Sequence, residues 1–216
     1  MKLNRNYWVL LTLIFVVLLM IGVWVGRILK GNMPYADVWT RGPVELLDDT
    51  IIYSLFRNIT ELGSQWFLVP FVITTGIMIW IVYKNWLPAL IFSGGTLLSH
   101  GLNLFIKHLV ERERPSIYEA ANAEGYSFPS GHAMISMVCY GLLAYFIAKK
   151  MSTAKMKLVV QILLATLIFL IGISRYVINV HYLTDVVAGF VIGILLLAGL
   201  IYLYEVLHRW QSQPED

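Results

Sequence analysis

The sequence predicts an all-α integral membrane protein, a bundle of six transmembrane helices. Of its 216 residues, 58% are hydrophobic and only 13% are charged, whereas soluble domains have about 25% charged residues. Six apolar runs reach about 18 residues or more, which is long enough for a helix to cross a bilayer. Because lipid offers no hydrogen-bond partners to the backbone, each run is expected to be helical.

The six runs are separated by local breaks. The first run follows Lys2 and Arg5, as in a signal peptide, but it is about 20 residues long and no small-residue cleavage site follows it, so we expect it to be retained. Pro88 marks the start of the third run and Lys149-Lys150 ends the fourth. One domain covering 1–216 is expected at this length. The predicted spans lie near 7–28, 64–83, 86–106, 132–148, 157–177 and 184–206.

Two further patterns concern packing. The segment 43–59 carries apolar residues at helical spacing with charged residues between them, which predicts an amphipathic helix. It would be either an interfacial helix or an ordinary connector, and both alternatives stay open. The pairs Gly22 with Gly26 and Gly189 with Gly193 are spaced four apart, and such flat faces are typical of close helix packing.

Charge predicts the orientation and excludes one class of partner. An even number of spans places both termini on one side of the membrane. Lys and Arg are equally numerous on the two sides, but the short Lys-rich loop after the fourth span indicates the cytoplasm. We therefore expect a multi-pass protein of the cell membrane with cytoplasmic termini and the loop 107–131 outside. The net charge of +3 gives no support for nucleic-acid binding.

Ionisable residues are costly beside membrane spans, so those that occur there need a reason. The first group contains Lys107 and Arg114, which would lie on one face roughly 10 Å apart if the segment were helical. Pro115 disfavours helix at the residue before it, so the chain is expected to turn near Arg114.

The second group, Pro129-Ser130-Gly131-His132, directly precedes the fourth span. Ser130 is a favourable N-cap, and Gly131 allows a ligand to approach the free N–H groups of the helix start. Such a helix start is an anion-binding cradle. His132 is expected in the first helical turn.

The third group contains Arg175, His181 and Asp185. His181 and Asp185 are i and i+4, so the carboxylate can lie beside the imidazole if the last helix begins this early. Such a partner fixes which ring nitrogen carries the proton and leaves the other as a nucleophile or base. Arg175 can bind phosphate in a bidentate manner.

Taken singly, these groups have structural interpretations. Cations at loop edges, including Arg112, often anchor a helix or contact lipid headgroups. His132 alone would be an interfacial polar residue, and His181 with Asp185 a hydrogen-bonded pair. Together, however, two histidines, one carboxylate and three phosphate-type cations fall at the outward ends of different helices, and this combination indicates chemistry on a phosphate ester.

Two polar residues in the third span are open to two interpretations. His100 and Asn103 lie one turn apart and could reach a substrate headgroup. Hydrogen bonding between helices is the interpretation we favour. Acidic residues such as Asp37 are too scattered to form a magnesium site.

The three groups together resemble the type 2 phosphatidic acid phosphatase family, which shares its active site with bacterial acid phosphatases and vanadium haloperoxidases. The motif region covers about 107–185, and the six-span layout extends the resemblance over nearly the whole chain. No motif position departs from the family pattern. The matching residues are Lys107-x6-Arg114-Pro115, Pro129-Ser130-Gly131-His132 and Ser174-Arg175-x5-His181-x3-Asp185.

The resemblance implies an all-α core of the haloperoxidase type and a mechanism without metal or other cofactor. His181 would attack phosphorus to form a phosphohistidine, oriented by Asp185, and His132 would protonate the leaving oxygen and then activate water. The phosphoryl oxygens would be held by Lys107, Arg114, Ser130, Gly131 and Arg175.

The resemblance also implies a lipid phosphate as substrate, with membrane lipids as the surroundings and no obligate protein partner. A compact six-span chain is similar to bacterial enzymes of phospholipid synthesis, which predicts phosphatidylglycerophosphate as substrate. Undecaprenyl pyrophosphate is the first alternative. A transporter of an anionic substrate is a second, although such proteins place charges near the midplane of repeated halves, and the sequence has no internal repeat.

Overall fold

The computed structural model describes residues 5–47, 50–115 and 125–212, and within these ranges the chain is helical with no strand. In these described ranges, eight α-helices follow one another, with a single 3₁₀ turn at Glu61–Gly63. The helices are α1 (Arg5–Leu29), α2 (Tyr35–Glu45), α3 (Ile51–Thr60), α4 (Gln65–Tyr83), α5 (Trp86–Val110), α6 (Gly131–Lys150), α7 (Ala154–Val177) and α8 (Leu183–Gln211).

The six predicted spans correspond to α1 and α4 to α8, each of which is long and apolar enough to cross a membrane. The chain is therefore a multi-pass membrane protein. The helices that run furthest past their predicted ends are α5, to Val110, and α8, to Gln211. The last turn of α8 carries His208 and Arg209. Cations stabilise the negative end of a helix dipole, so α8 continues through these polar residues.

Side chains cap several of the helix starts. Ser64 accepts a hydrogen bond from the backbone N–H of Phe67 at 3.3 Å, and Asn85 accepts one from Leu87 at 2.9 Å. Between α4 and α5, Lys84 adopts a left-handed conformation with φ of 51°. This tight connection makes α4 and α5 antiparallel neighbours, because so short a loop cannot carry the chain further.

The central helix is α6, which packs against α5, α7 and α8. A Cβ atom at Gly189 would lie 2.6 Å from the carbonyl oxygen of Ser130, and one at Gly193 would lie 2.8 Å from Met137 Cβ. The predicted close packing at this glycine pair is confirmed. The predicted close packing is wrong for Gly22 and Gly26, because a Cβ atom added at either position would have no described atom within 4 Å.

The prediction of one amphipathic helix over 43–59 is wrong. Two helices share this region, since α2 ends at Glu45 and α3 begins at Ile51. The hydroxyl of Thr50 accepts the Tyr53 N–H at 3.2 Å and so starts a new helix. The two helices also pack differently, α2 against α8 and α3 against α7.

Candidate active site

The three predicted groups meet at one end of the helical bundle. Lys107 lies in the last turn of α5 and Arg175 in the last turn of α7. His132 and Asp185 lie in the first turns of α6 and α8. Because neighbouring spans run in opposite directions, two helix ends and two helix starts converge here.

Arg114 reaches this end of the bundle from a loop. Glu111 has φ of 50° and closes α5 by donating its backbone N–H to the Lys107 carbonyl at 2.9 Å. The segment from Lys107 to Arg114 is therefore not one helix, so the condition for a shared helix face is not met. The turn expected near Arg114 comes earlier, at the left-handed Glu111.

Three cationic side chains act electrostatically on His181, which follows α7. Arg114 Nη1 lies 3.1 Å from His181 Nε2. Lys107 Nζ donates to the backbone carbonyl of Tyr126. Arg175 is buried, and its Nε has no hydrogen-bond partner among the described residues. A buried donor without a partner costs free energy, and an anion bound here would recover it.

The start of α6 has the predicted cap. Ser130 accepts the Ala133 N–H at 3.5 Å, and its own backbone N–H donates to the carbonyl of Asp185 at 3.0 Å. The second bond joins the start of α6 directly to the start of α8. His132, in the first turn, lies within electrostatic range of His181.

Asn103 makes the predicted hydrogen bond between helices, because its Nδ2 donates to Met134 Sδ of α6 at 3.8 Å. Asn103 Nδ2 also donates to the carbonyl of Pro129 at 3.2 Å. A Cβ atom at Gly131 would lie 2.9 Å from Asn103 Oδ1, so a larger residue at this point would displace the Asn103 amide. His100 is half-buried on the same helix, and its predicted hydrogen bond stays a prediction.

His181 is 3% exposed and lies just before α8 rather than within it. Its Nδ1 is 3.5 Å from Asp185 Oδ2, so the two residues meet, although not across a helical turn. Burial, and then nearby positive charges, hold the pKa of the imidazole well below 6.5. Those charges belong to Arg114, Lys107 and Arg175. The ring is therefore neutral at neutral pH, which leaves one nitrogen unprotonated.

A buried ionic network that sequence reasoning missed holds Asp185. Arg112 is 8% exposed, and its Nη1 donates to Asp185 Oδ1 at 2.5 Å while its Nη2 donates to Asp37 Oδ2 at 2.7 Å. Thr184 donates its N–H and its hydroxyl to the two oxygens of Asp37, at 3.0 and 2.6 Å. The interpretation of Arg112 as a loop-edge anchor is wrong. Asp37 is far away in the sequence, so no local pattern connects the two.

Ser127 is the second missed residue, and it is fully buried. Its hydroxyl donates to Asp185 Oδ2 and lies 3.3 Å from His181 Nδ1. Its backbone N–H donates to the carbonyl of Arg112 at 2.7 Å. The only available signal was its position close to the second motif.

A small cleft opens between α2 and the connection from α7 to α8. Its lining includes Arg41, Tyr176, Asn179, His181 and Tyr182. His181 is therefore next to open space although little of its surface is exposed.

Comparison with known proteins agrees with this arrangement. The PAP2 superfamily profile matches residues 88–209. Over 146 residues the chain is 37% identical to phosphatidylglycerophosphatase B of Bacillus subtilis, an alignment that covers 66% of this chain and 70% of that protein. Over 167 residues it is 28% identical to dolichyldiphosphatase of Saccharomyces cerevisiae, covering 74% and 69%.

Two solved structures share the fold. The crystal structure of a transmembrane PAP2 type phosphatidylglycerolphosphate phosphatase from Bacillus subtilis superposes with a TM-score of 0.76 at 26% identity, over 94% of this chain and 98% of that one. The structure of Aquifex aeolicus LpxE gives a TM-score of 0.56 at 22% identity, over 74% and 90%. The second likeness concerns the fold alone.

Proposed function

The chain belongs to the PAP2 superfamily and is a membrane-embedded lipid phosphatase, and from this premise we propose that it hydrolyses phosphatidylglycerophosphate to phosphatidylglycerol and phosphate. The similarity to the phosphatidylglycerophosphatase B of Bacillus subtilis supports the substrate. A transporter is set aside, because the family is one of enzymes.

The proposed nucleophile is Nε2 of His181. The contacts of the two ring nitrogens support this choice. Nδ1 faces the buried Ser127 and Asp185, while Nε2 accepts a hydrogen bond from Arg114 at 3.1 Å. The Nε2 lone pair would attack phosphorus, and the bond from phosphorus to the lipid oxygen would break. The product of this step is a phosphohistidine whose positive ring charge is stabilised by the carboxylate.

The leaving oxygen needs a proton, which His132 would donate from the first turn of α6. The resulting neutral His132 would then remove a proton from the water that attacks phosphohistidine, releasing phosphate and restoring both rings. Geometry supports this pairing, because main-chain bonding joins the helix that carries His132 to the helix that follows His181.

The five binding residues would hold the phosphoryl oxygens. Lys107, Arg114 and Arg175 supply positive charge, and Gly131 supplies a backbone N–H group at a helix start. Ser130 would bind through its hydroxyl, because its own N–H is bonded to the Asp185 carbonyl. Preorganised charge of this kind is the main source of catalysis in phosphoryl transfer. The present contacts of Arg114 and Lys107 would have to yield to phosphate when substrate binds.

The proposed site lies on the extracytoplasmic side of the membrane. Lys149 and Lys150 end α6, and the start of α6 carries the site, so the two lie at opposite ends of the same helix. Positive loops favour the cytoplasm. The reacting phosphate would therefore lie at headgroup depth in the outer leaflet.

A second substrate has support from a specific observation. The dolichyldiphosphatase of Saccharomyces cerevisiae aligns with 74% of this chain, and its name denotes a polyprenyl diphosphate substrate. Undecaprenyl pyrophosphate is therefore the alternative substrate, with the same residues holding its terminal phosphate.

Phosphate release by detergent-purified protein tests both the substrate and the nucleophile. Phosphatidylglycerophosphate, phosphatidic acid and undecaprenyl pyrophosphate would be compared for wild type and His181→Ala. His108→Ala is a matched control, because His108 is exposed and bonded to the Leu104 carbonyl at 2.7 Å. We expect the highest kcat/KM for phosphatidylglycerophosphate, no activity in His181→Ala and normal activity in the control. An active His181→Ala enzyme would falsify the nucleophile, and preference for undecaprenyl pyrophosphate would replace the substrate.

A further inference from the structure

The hydroxyl of Ser127 lies between the proposed nucleophile and its carboxylate. Ser127 Oγ is 3.3 Å from His181 Nδ1 and donates to Asp185 Oδ2. The direct distance from Nδ1 to Oδ2 is 3.5 Å. Both contacts are longer than the usual range of about 2.7–3.2 Å for an N–H···O bond, and the contact with the hydroxyl is the shorter of the two. The hydroxyl is therefore the nearer partner of the imidazole.

The hydrogen positions follow from the chemistry of the three groups. An ionised carboxylate only accepts, so the single hydrogen of the Ser127 hydroxyl points to Asp185. The hydroxyl then presents a lone pair to His181, whose Nδ1 must carry the ring proton. At the other ring nitrogen, a guanidinium only donates, so Nε2 accepts from Arg114. Both ends of the ring require the same tautomer, with Nε2 as the free nucleophile.

The carboxylate and the hydroxyl are both fixed in place. Asp185 Oδ1 is held by Arg112 at 2.5 Å, and Oδ2 also accepts the Tyr182 N–H at 2.9 Å. The backbone of Ser127 is tied to the Arg112 carbonyl at 2.7 Å. Because these bonds restrain Asp185, it has little freedom to move past the hydroxyl and contact His181 directly.

We propose that Ser127 is a positioning residue through which Asp185 orients His181 and stabilises the charge that the ring gains on attack. The inference rests on His181 being the nucleophile, as proposed above. When Nε2 bonds to phosphorus the ring becomes cationic, and its Nδ1–H then donates more strongly to a hydroxyl that the carboxylate polarises. No proton leaves the ring in this step.

The test is a double-mutant cycle of Ser127→Ala and Asp185→Asn, read as kcat and KM for phosphatidylglycerophosphate. Loss of an orienting group that fixes a tautomer lowers kcat by about 10²–10⁴-fold in general acid–base systems. We expect Ser127→Ala to lower kcat by about 10²-fold with KM nearly unchanged. Asp185→Asn should add little in the Ser127→Ala background, since the carboxylate acts through the hydroxyl.

A shift of the pH profile separates positioning from mere packing. Protonated His181 would donate from Nδ1 to the Ser127 hydroxyl, which favours the charged ring. Ser127→Ala removes this acceptor, so it should move the acid limb of kcat/KM to lower pH. Ser99→Ala is the matched control, because Ser99 is also fully buried and its hydroxyl has no partner in the part of the chain that is described. The control should move neither kcat nor the acid limb.

Ser127→Cys keeps the test decisive if Ser127→Ala does not fold. A thiol has a similar size but is a weak donor and acceptor, so Ser127→Cys should also have low kcat. A Ser127 variant that folds with kcat near wild type, or effects that multiply with those of Asp185→Asn, would overturn the positioning role. If His181→Ala is itself active, the proposed nucleophile fails instead, and the two failures are thereby distinguished.

Discussion

Replacing Asp37 by asparagine tests the buried network that anchors α2 to the site. The side chain of Asp37 is fully buried, and it pairs with Arg112 at 2.7 Å. Asparagine has the same shape without the charge, so Arg112 keeps Asp185 as its remaining carboxylate partner. The amide oxygen can still accept the Thr184 N–H, so the helix start is not left without a bond.

The expected cost is about 3 kcal/mol, at the lower end for breaking a buried ion pair by removing one partner. In a chain of this size each kcal/mol lowers Tm by about 2–4 °C, so Asp37→Asn should lower it by about 6–12 °C. Thermal unfolding in detergent, followed by circular dichroism, measures the change. Glu113→Gln is the matched control, because Glu113 is exposed in the same loop as Arg112. A Tm equal to that of the control would refute the reasoning, since it would mean that Asp37 does not stabilise the buried guanidinium.

Three further predictions concern pH, packing and metal. Because the pKa of His181 lies well below 6.5, the acid limb of kcat/KM should fall below pH 6.5, and an acid limb above pH 6.5 in the wild type would contradict this expectation. Arg114→Gln removes a positive charge near the ring and should move the acid limb to higher pH. The free energy of unfolding should likewise decrease as pH falls below about 6.5, where the unfolded chain binds the proton first. Gly189→Ala would place a Cβ 2.6 Å from the Ser130 carbonyl oxygen and should lower the free energy of unfolding by about 1–3 kcal/mol. Gly199→Ala, with open space around the added Cβ, should not lower it. Equal effects of the two variants in chemical denaturation would argue against the close contact. Phosphate release should be unchanged after treatment with EDTA, and activity that is lost and then restored by Mg²⁺ would contradict the histidine mechanism.

Long periodic features were predictable from sequence, and residues that meet across the fold were not. The membrane spans follow from apolar length alone, and the cap at Ser130 follows from local chemistry. The single helix over 43–59 was wrong because a capping threonine, Thr50, outweighs apolar periodicity that continues across it. A turn near Arg114 was expected from Pro115, but its position was not, because Glu111 adopts a left-handed conformation that its residue type does not favour.

The candidate site illustrates the same division. The eight predicted site residues lie at one end of the bundle, but the residues that hold Asp185 were not selected. Arg112 looked like any other cation at a membrane boundary, and only its burial shows that it needs carboxylate partners. Asp37 approaches it from a separate helix. Ser127 is one of many serines, and its importance depends on a distance of 3.3 Å that has no counterpart in sequence spacing.

The bond from the Ser130 N–H to the Asp185 carbonyl, at 3.0 Å, involves main-chain atoms alone. Side-chain substitutions at either position leave both atoms in place, with proline at 130 as the exception because it has no N–H. Such substitutions therefore leave in place the bond that sets the distance between the segments carrying His132 and His181. Lipid-facing residues of α6 and α8 can change to suit lipid tails of another length or shape while the reacting groups keep their relative positions. The range of lipid substrates can therefore change in evolution without a change in the catalytic residues.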